Sequence, residues 1–242
     1  HGLVAILDLH WTDGFDKGPG VSCPDSTAAC QKSMADAAHA PVFWTSVAKT
    51  FRDDQATVFD LFNEPFLDVS HALPKAQAWR CWRNGGDACP GFSFRVAGMQ
   101  SLVDAVRATG ARNVLMLGGL SWSLDLTGWL KHKPRDPTGN LAAAWHVYNF
   151  NACTASCWKS NVAAVAKVVP VVAGEIGEDD CRHVFVDQLM PWLDAHRVSY
   201  LGWTWNTYAA CKGHPILIKD YNGTPSTFGA GIKAHLAKVS HR

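Results

Sequence analysis

Residues 57–65 read TVFDLFNEP. Thr57, Val58, Phe59, Leu61 and Phe62 are the residue types of a short buried strand. The run stops at Asn63, Glu64 and Pro65, which sets a carboxylate where the apolar residues end.

Working outward, five further runs share the pattern: 3–9 (LVAILDL), 113–117 (NVLML), 143–148 (AAWHVY), 168–173 (VVPVVA) and 198–203 (VSYLGW). Each is short, apolar and bounded by polar residues or glycine, as buried strands are. Helical spacing falls between them. Phe43, Trp44, Val47, Ala48 and Phe51 share one face, as do Leu102, Val103 and Val106 before Gly110, and Phe228, Ile232, Leu236 and Val239 near the end. In 184–195, Pro191 predicts a kink or a restart. The segment 119–141, with its Gly, Pro and Lys, reads as mostly loop. Strand and helix in alternation predict an α/β fold with a parallel sheet and helices outside, TIM-barrel-like, with about six β/α units. No linker, repeat or low-complexity segment interrupts it, so residues 1–242 are expected to form a single domain.

In parallel α/β folds chemistry gathers at the carboxyl ends of strands. Those ends carry His10 and Trp11, Asn63 and Glu64, residues 118–122, His146 and Tyr148, Glu175, and Trp203 and Trp205. Glutamate occurs only at Glu64, Glu175 and Glu178, and two of the three end strands. A strand-end glutamate can pair with an arginine or cap a helix. Two of them on one face, ringed by Trp and His, suit glycoside hydrolysis, in which one carboxyl group protonates the leaving oxygen and another attacks or activates water. The 11 tryptophans add faces that stack on sugar rings, although Trp44 and Trp192 sit at helical spacing and read as core.

The formal charge of +1 is spread without a basic stripe or a charged tail, and no apolar run is long enough to span a bilayer. Nucleic acid and membrane are therefore not expected partners. Eight cysteines with local spacing predict pairs Cys23–Cys30, Cys81–Cys89 and Cys153–Cys157, with Cys181 and Cys211 left for each other. None of the local pairs has the two-residue gap of zinc knuckles, so no metal and no cofactor is expected. Free core thiols and a Cys/His zinc site are the alternatives. The pairs point to an oxidising, extracellular location, and a start at His1 without a signal-peptide pattern reads as a mature or trimmed product.

The motifs AILDLHW, FDLFNEP, AWHVYNF, VVAGEIGE and LGWTWN, in this order from about residue 3 to 206, resemble the strand-end motifs of glycoside hydrolase family 5, the retaining cellulase-type (β/α)8 enzymes. The resemblance implies Glu64 as general acid/base, Asn63 on the 2-hydroxyl of the reacting sugar and Glu175 as nucleophile. It also implies His146 near the acid/base, Tyr148 bonded to the nucleophile, His10 and Trp11 lining the site, and Trp205 as stacking floor. Glu178 matches no catalytic position and reads as a loop residue near substrate. The implied substrate is β-1,4-glucan as oligosaccharide or polysaccharide, with β-mannan or another β-glycan, or a catalytically weak glycan-binding remnant, as alternatives. LDLHW matches the third strand of eight, so two strand-helix units and an arginine at the end of the second strand are not matched; the first arginine is Arg52. A barrel open at that point predicts a homodimer through the edge strands, at Leu3–Leu9 or Val198–Trp203, with a smaller closed barrel of six strands or strands from a removed N-terminal segment as the alternatives.

Overall fold

A computed structural model of the chain describes residues 2–12, 31–207 and 211–240. Cys23 and Cys30 lie outside the described residues. The fold divides into two compact units, residues 1–144 and 145–242, and the division falls inside one strand.

In the first unit, β1 (Ala5–Asp8), β2 (Thr57–Asp60), β3 (Leu115–Gly118) and the first half of β4 (Leu141–Tyr148) lie side by side in sequence order, every neighbour parallel. Each parallel step needs a crossover, and the intervening segments supply helices. These are α1 (Ala40–Phe51), α2 (Leu67–Ser70), α3 (Lys75–Asn84), α4 (Met99–Arg107) and α5 (Trp129–His132). Helix α1 begins with a proline in its first turn, where a missing N–H costs nothing. It buries Ala40, Trp44 and Ala48, one stripe four residues apart, while Phe43 and Phe51 stay 40% and 37% exposed. The buried face is thus narrower than the apolar spacing predicts. Trp44 packs 5.5 Å from Phe59 of β2 and donates its indole N–H to Leu61 O at 2.9 Å. Burial of a side chain like Phe59 contributes about 2 kcal/mol. Helix α4 buries Met99, Leu102, Val103 and Val106 and ends at Arg107, and the turn after it closes at Gly110, whose φ of +84° favours glycine. Apart from α5, residues 119–140 carry no regular element.

The second unit takes up the rest of β4 and continues through α6 (Ala155–Trp158), a π-helical turn (Lys159–Ala163), α7 (Ala164–Ala166), β5 (Val171–Gly177), α8 (Val184–Ala195), β6 (Ser199–Gly202) and α9 (Thr227–Val239). Strand β5 neighbours β4 and pairs in parallel with β6. All six expected strands exist. Strand β5 starts and ends later than its apolar run: Val168 is 63% exposed, and the strand carries on through Glu175 to Gly177. Helix α8 runs unbroken through Pro191, so the chain does not restart the helix there; Val186, Leu189, Met190 and Leu193 are buried, and this packing holds the helix across the one missing N–H. Ser226 caps α9 by accepting from Gly229 N–H at 2.9 Å. Cys81–Cys89, Cys153–Cys157 and Cys181–Cys211 are disulfides, so these six sulfurs are not available as thiolate ligands to zinc.

Candidate active site

In the first unit the backbone ladder runs past the end of β2. Leu61 N–H donates to Met116 O at 3.0 Å and Asn63 N–H to Leu9 O at 3.2 Å, so Asn63 and Glu64 sit at a rigid strand end. Asn63 is buried and its carbonyl accepts from Ser123 Oγ at 2.7 Å. That approach needs Gly118: a Cβ there would lie 2.2 Å from Ser123 Oγ and 2.9 Å from Asn63 O. Glu64 is half-buried, and Gln31 donates its amide N–H to Glu64 Oε2 at 2.6 Å. At the end of β1, His10 Nδ1 lies 2.6 Å from Asp8 Oδ2, and its Nε2 is 3.4 Å from Asn63 Nδ2. Trp11 follows, 39% exposed. Sequence reading named His10, Trp11, Asn63 and Glu64 and missed Gln31 and Asp8.

The loop after β3 folds back onto this strand end. Ser121, Trp122 and Ser123 have φ of 52°, 57° and 59°, a left-handed conformation that costs about 1 kcal/mol or more for each non-glycine residue. Hydrogen bonds offset it: Trp122 N–H to Pro65 O at 2.9 Å and Ser121 N–H to Asp68 Oδ1 at 3.0 Å. Lys75 Nζ then clamps Asp68 and Asp125 at 2.8 and 2.7 Å. Burial pushes the Lys75 pKa down, but its bonds to Asp125 and Asp68 outweigh that and leave it raised. The outcome is that Trp122 stacks on Phe66, ring centres 4.9 Å apart, with part of its ring exposed.

In the second unit Glu175 is buried within β5, and the strand is irregular there. Ala173 pairs with Tyr200 and Ile176 with Gly202, so β5 carries one residue more than β6 between these pairs. Such a bulge turns a side chain off the regular alternation. Tyr148, the last residue of β4, donates its hydroxyl to Glu175 Oε2, and His146 Nδ1 is 3.7 Å from the same oxygen. The Tyr148 ring lies across Gly177, where a Cβ would come within 2.5 Å of it, and stacks on Phe150 at 4.9 Å. Trp205, after β6, is 63% exposed and its ring edge rests near the Gly223 turn. Thus His146, Tyr148 and Glu175 are brought together, while Trp205 stands on a separate loop.

Glu178 lies in the loop after β5, as expected, but its carboxylate turns to the start of α8. It is 2% exposed, and its Oε2 accepts from the N–H groups of Phe185 and Val186 at 2.9 and 3.2 Å, closing the first turn of α8. Burial raises its pKa and neighbouring Asp180 adds to the rise, against the lowering effect of those backbone donors.

The model of the cellulase family, glycosyl hydrolase family 5, matches residues 1–209. The chain belongs to glycosyl hydrolase family 5. Its relatives include endoglucanase 1 of Robillarda sp. (strain Y-20), 25% identical over 233 residues, covering 84% of this chain and 53% of that protein. A mannan endo-1,4-beta-mannosidase of Streptomyces lividans is 23% identical over 212 residues, covering 84% of this chain and 46% of that protein. The chain therefore spans about half the length of the curated relatives it matches. Among solved structures, the β-glucanase SdGluc5_26A from Saccharophagus degradans, in complex with cellotetraose, aligns with a TM-score of 0.72 at 20% identity, over 98% of this chain and 68% of that one. The fold is accordingly the TIM-barrel-like (β/α) fold of family 5, here with six strands among the described residues.

Proposed function

We propose that the chain carries the catalytic residues of a retaining glycoside hydrolase that cleaves β-1,4-glucan by double displacement. The observation that carries this reading is the surroundings of Glu175: a buried carboxylate on a bulged strand end, held by the Tyr148 hydroxyl and flanked by His146. A phenol fixed on one carboxylate oxygen orients the group for attack by the other. Glu64, half-buried and bonded to an amide, is assigned the proton transfers.

In the first step Glu64 gives its proton to the glycosidic oxygen while a Glu175 oxygen attacks the anomeric carbon. The bond to the leaving sugar breaks and a glycosyl ester on Glu175 forms. In the second, the Glu64 carboxylate takes a proton from water, whose oxygen attacks the same carbon, breaks the ester and restores the starting configuration. Retention of this kind calls for carboxyl groups about 5–5.5 Å apart. Asn63 is assigned to the 2-hydroxyl of the reacting sugar, His10 and His146 to the surrounding hydroxyls, and Trp11 and Trp205, both exposed, to stacking on the apolar sugar faces.

The endoglucanase relative and the likeness to a structure bound to cellotetraose support glucan. The mannosidase relative supports β-1,4-mannan as second substrate class. A catalytically weak glycan-binding form is the other reading. The disulfides support an extracellular location. A second copy of the chain is the partner assigned to the edge of β1 that, among the described residues, faces away from β2.

Proton NMR of the products released from an aryl β-cellobioside and from β-glucan, β-mannan and xylan oligosaccharides tests the reading. The expected result is turnover of glucan with the β-anomer formed first. Glu175→Ala should lose turnover, and azide should restore part of it through an α-glycosyl azide. Initial α-product would overturn retention, and binding without turnover would support the weak form.

A further inference from the structure

Asp8 and His10, two residues apart at the end of β1, fix more than a position. An ionised carboxylate only accepts hydrogen bonds, so the ring nitrogen facing Asp8 at 2.6 Å, Nδ1, must carry the proton. A side-chain amide nitrogen only donates, so the nitrogen 3.4 Å from Asn63 Nδ2, which is His10 Nε2, must offer its lone pair. One species meets both demands, the neutral imidazole protonated on Nδ1. Turning the Asn63 amide round would put its oxygen against Nε2. That arrangement needs a proton on Nε2, and the ring must then either give up the Asp8 bond or take a full positive charge.

We propose that Asp8 is a positioning residue for catalysis: through the Nδ1–H tautomer of His10 it locks the Asn63 amide in one of its two orientations before substrate arrives. The surrounding backbone holds the parts in place, since Leu9 N–H donates to Asp60 O and Asn63 N–H to Leu9 O, each at 3.2 Å. Asn63 is 3% exposed and its own carbonyl is held by Ser123, so the amide end is what Asp8 governs. Asp8 itself stays at the rim, with its side chain 27% exposed, and it acts on substrate only through His10 and Asn63. The consequence for chemistry rests on the reading above that Asn63 meets the 2-hydroxyl of the reacting sugar. An amide locked the right way round presents its donor and acceptor to that hydroxyl without reorganising, and contacts to the 2-hydroxyl strengthen in the transition state.

The test has two arms on the full chain. Long-range 1H–15N correlation spectra of the histidine rings near pH 8, with His10 assigned from a His10→Gln variant, should show the Nδ1–H pattern for His10. Asp8→Asn, which can turn a donor toward the ring, should shift it toward Nε2–H, and Asp8→Glu should restore much of the original pattern. The second arm compares an aryl β-glucoside-type substrate with its 2-deoxy analogue. Asp8→Asn should lower kcat/KM by roughly 10- to 100-fold on the first, carried mainly by kcat, and by far less on the second. An Nε2–H or doubly protonated His10 in the unaltered chain, or a His10 pattern indifferent to Asp8, would overturn the proposal, and so would equal losses on both substrates. Should neither chain turn over any glycan, the enzymatic reading fails while the tautomer arm still decides the role of Asp8. If Asp8→Asn unfolds, the Asp8→Glu spectra and the unaltered chain carry the same decision.

Discussion

Tyr148 serves the candidate site through two ends of one side chain. Its hydroxyl donates to Glu175, and its ring is fixed between Phe150 and the bare backbone of Gly177. Tyr148→Phe keeps the ring packing and removes only the donor. A hydrogen bond to a carboxylate is worth about 1.5–3 kcal/mol, so kcat/KM on an aryl β-cellobioside should fall roughly 10- to 100-fold, with thermal stability little changed. Trapping Glu175 with a 2-fluoro glycoside should slow by a similar factor. Loss of fold with no separate loss of trapping rate would assign Tyr148 a packing role instead. Tyr148, His146 and Glu175 could be picked out in the sequence because each is a polar residue at or within two residues of the end of an apolar run. Gln31 and Asp8 could not, since nothing local distinguishes an amide whose partner is Glu64, 33 residues on, or a strand aspartate facing a histidine, His10, whose other nitrogen meets Asn63, 53 residues on.

At the scale of elements, polar side chains hold the loops that the apolar pattern leaves unspecified. Asp136, in the loop before β4, receives both forks of the Arg107 guanidinium at the end of α4, at 2.8 and 3.0 Å, and also the N–H groups of Thr138 and Asn140. Its side chain and that of Arg107 are 2% and 6% exposed. Burial pushes the Asp136 carboxyl up, but Arg107 and Thr138 more than offset this and bring it down to about 2. The folded value lies below the unfolded one, so the folded chain binds fewer protons, and the stability gained is present above about pH 4 and lost as pH falls toward 2. The difference amounts to about 2 kcal/mol. Asp136→Asn should therefore lower denaturant-measured stability by about that much at pH 7. The gap between the two chains should narrow below about pH 3, and a gap independent of pH would contradict the ion pair as its source. Glu178 works in the same way for α8: placed three residues past Glu175, it closes the first turn of the next helix instead of reaching substrate. Residue type alone does not separate these roles. A glutamate after a strand can serve chemistry or a helix end, and the backbone N–H groups within its reach decide.

At the scale of the whole molecule, β1 stands at one end of the row of strands. Among the described residues strand β1 has a neighbour on one side, β2, and the apolar residues leading into it, Leu3 and Val4, are 79% and 63% exposed. A strand in that state offers unpaired backbone groups together with apolar surface, which favours addition of another strand. The 242-residue chain should accordingly form a two-fold dimer through β1, burying on the order of 1,200–2,000 Å² in total. Light scattering at micromolar concentration should give twice the chain mass, and Leu3→Lys with Val4→Lys should return it to one. A monomer of the unaltered chain would overturn the pairing.

What the sequence determined by itself was the alternation of six apolar strands with helices, because burial on both faces of a parallel sheet forces runs that contrast sharply with their surroundings. The same contrast made Asn63, Glu64, His146, Tyr148 and Glu175 legible as polar breaks at strand ends. Tertiary structure alone decided where β5 ends, since the extra residue beside Glu175 is set by pairing with β6 and leaves no mark on composition. It alone decided that α8 runs through Pro191 and that Glu178 caps it, both consequences of packing and of donors brought near by the fold. It alone showed Asp8 facing His10 and His10 facing Asn63, because hydrogen-bond direction depends on distance in space, which residue order does not contain.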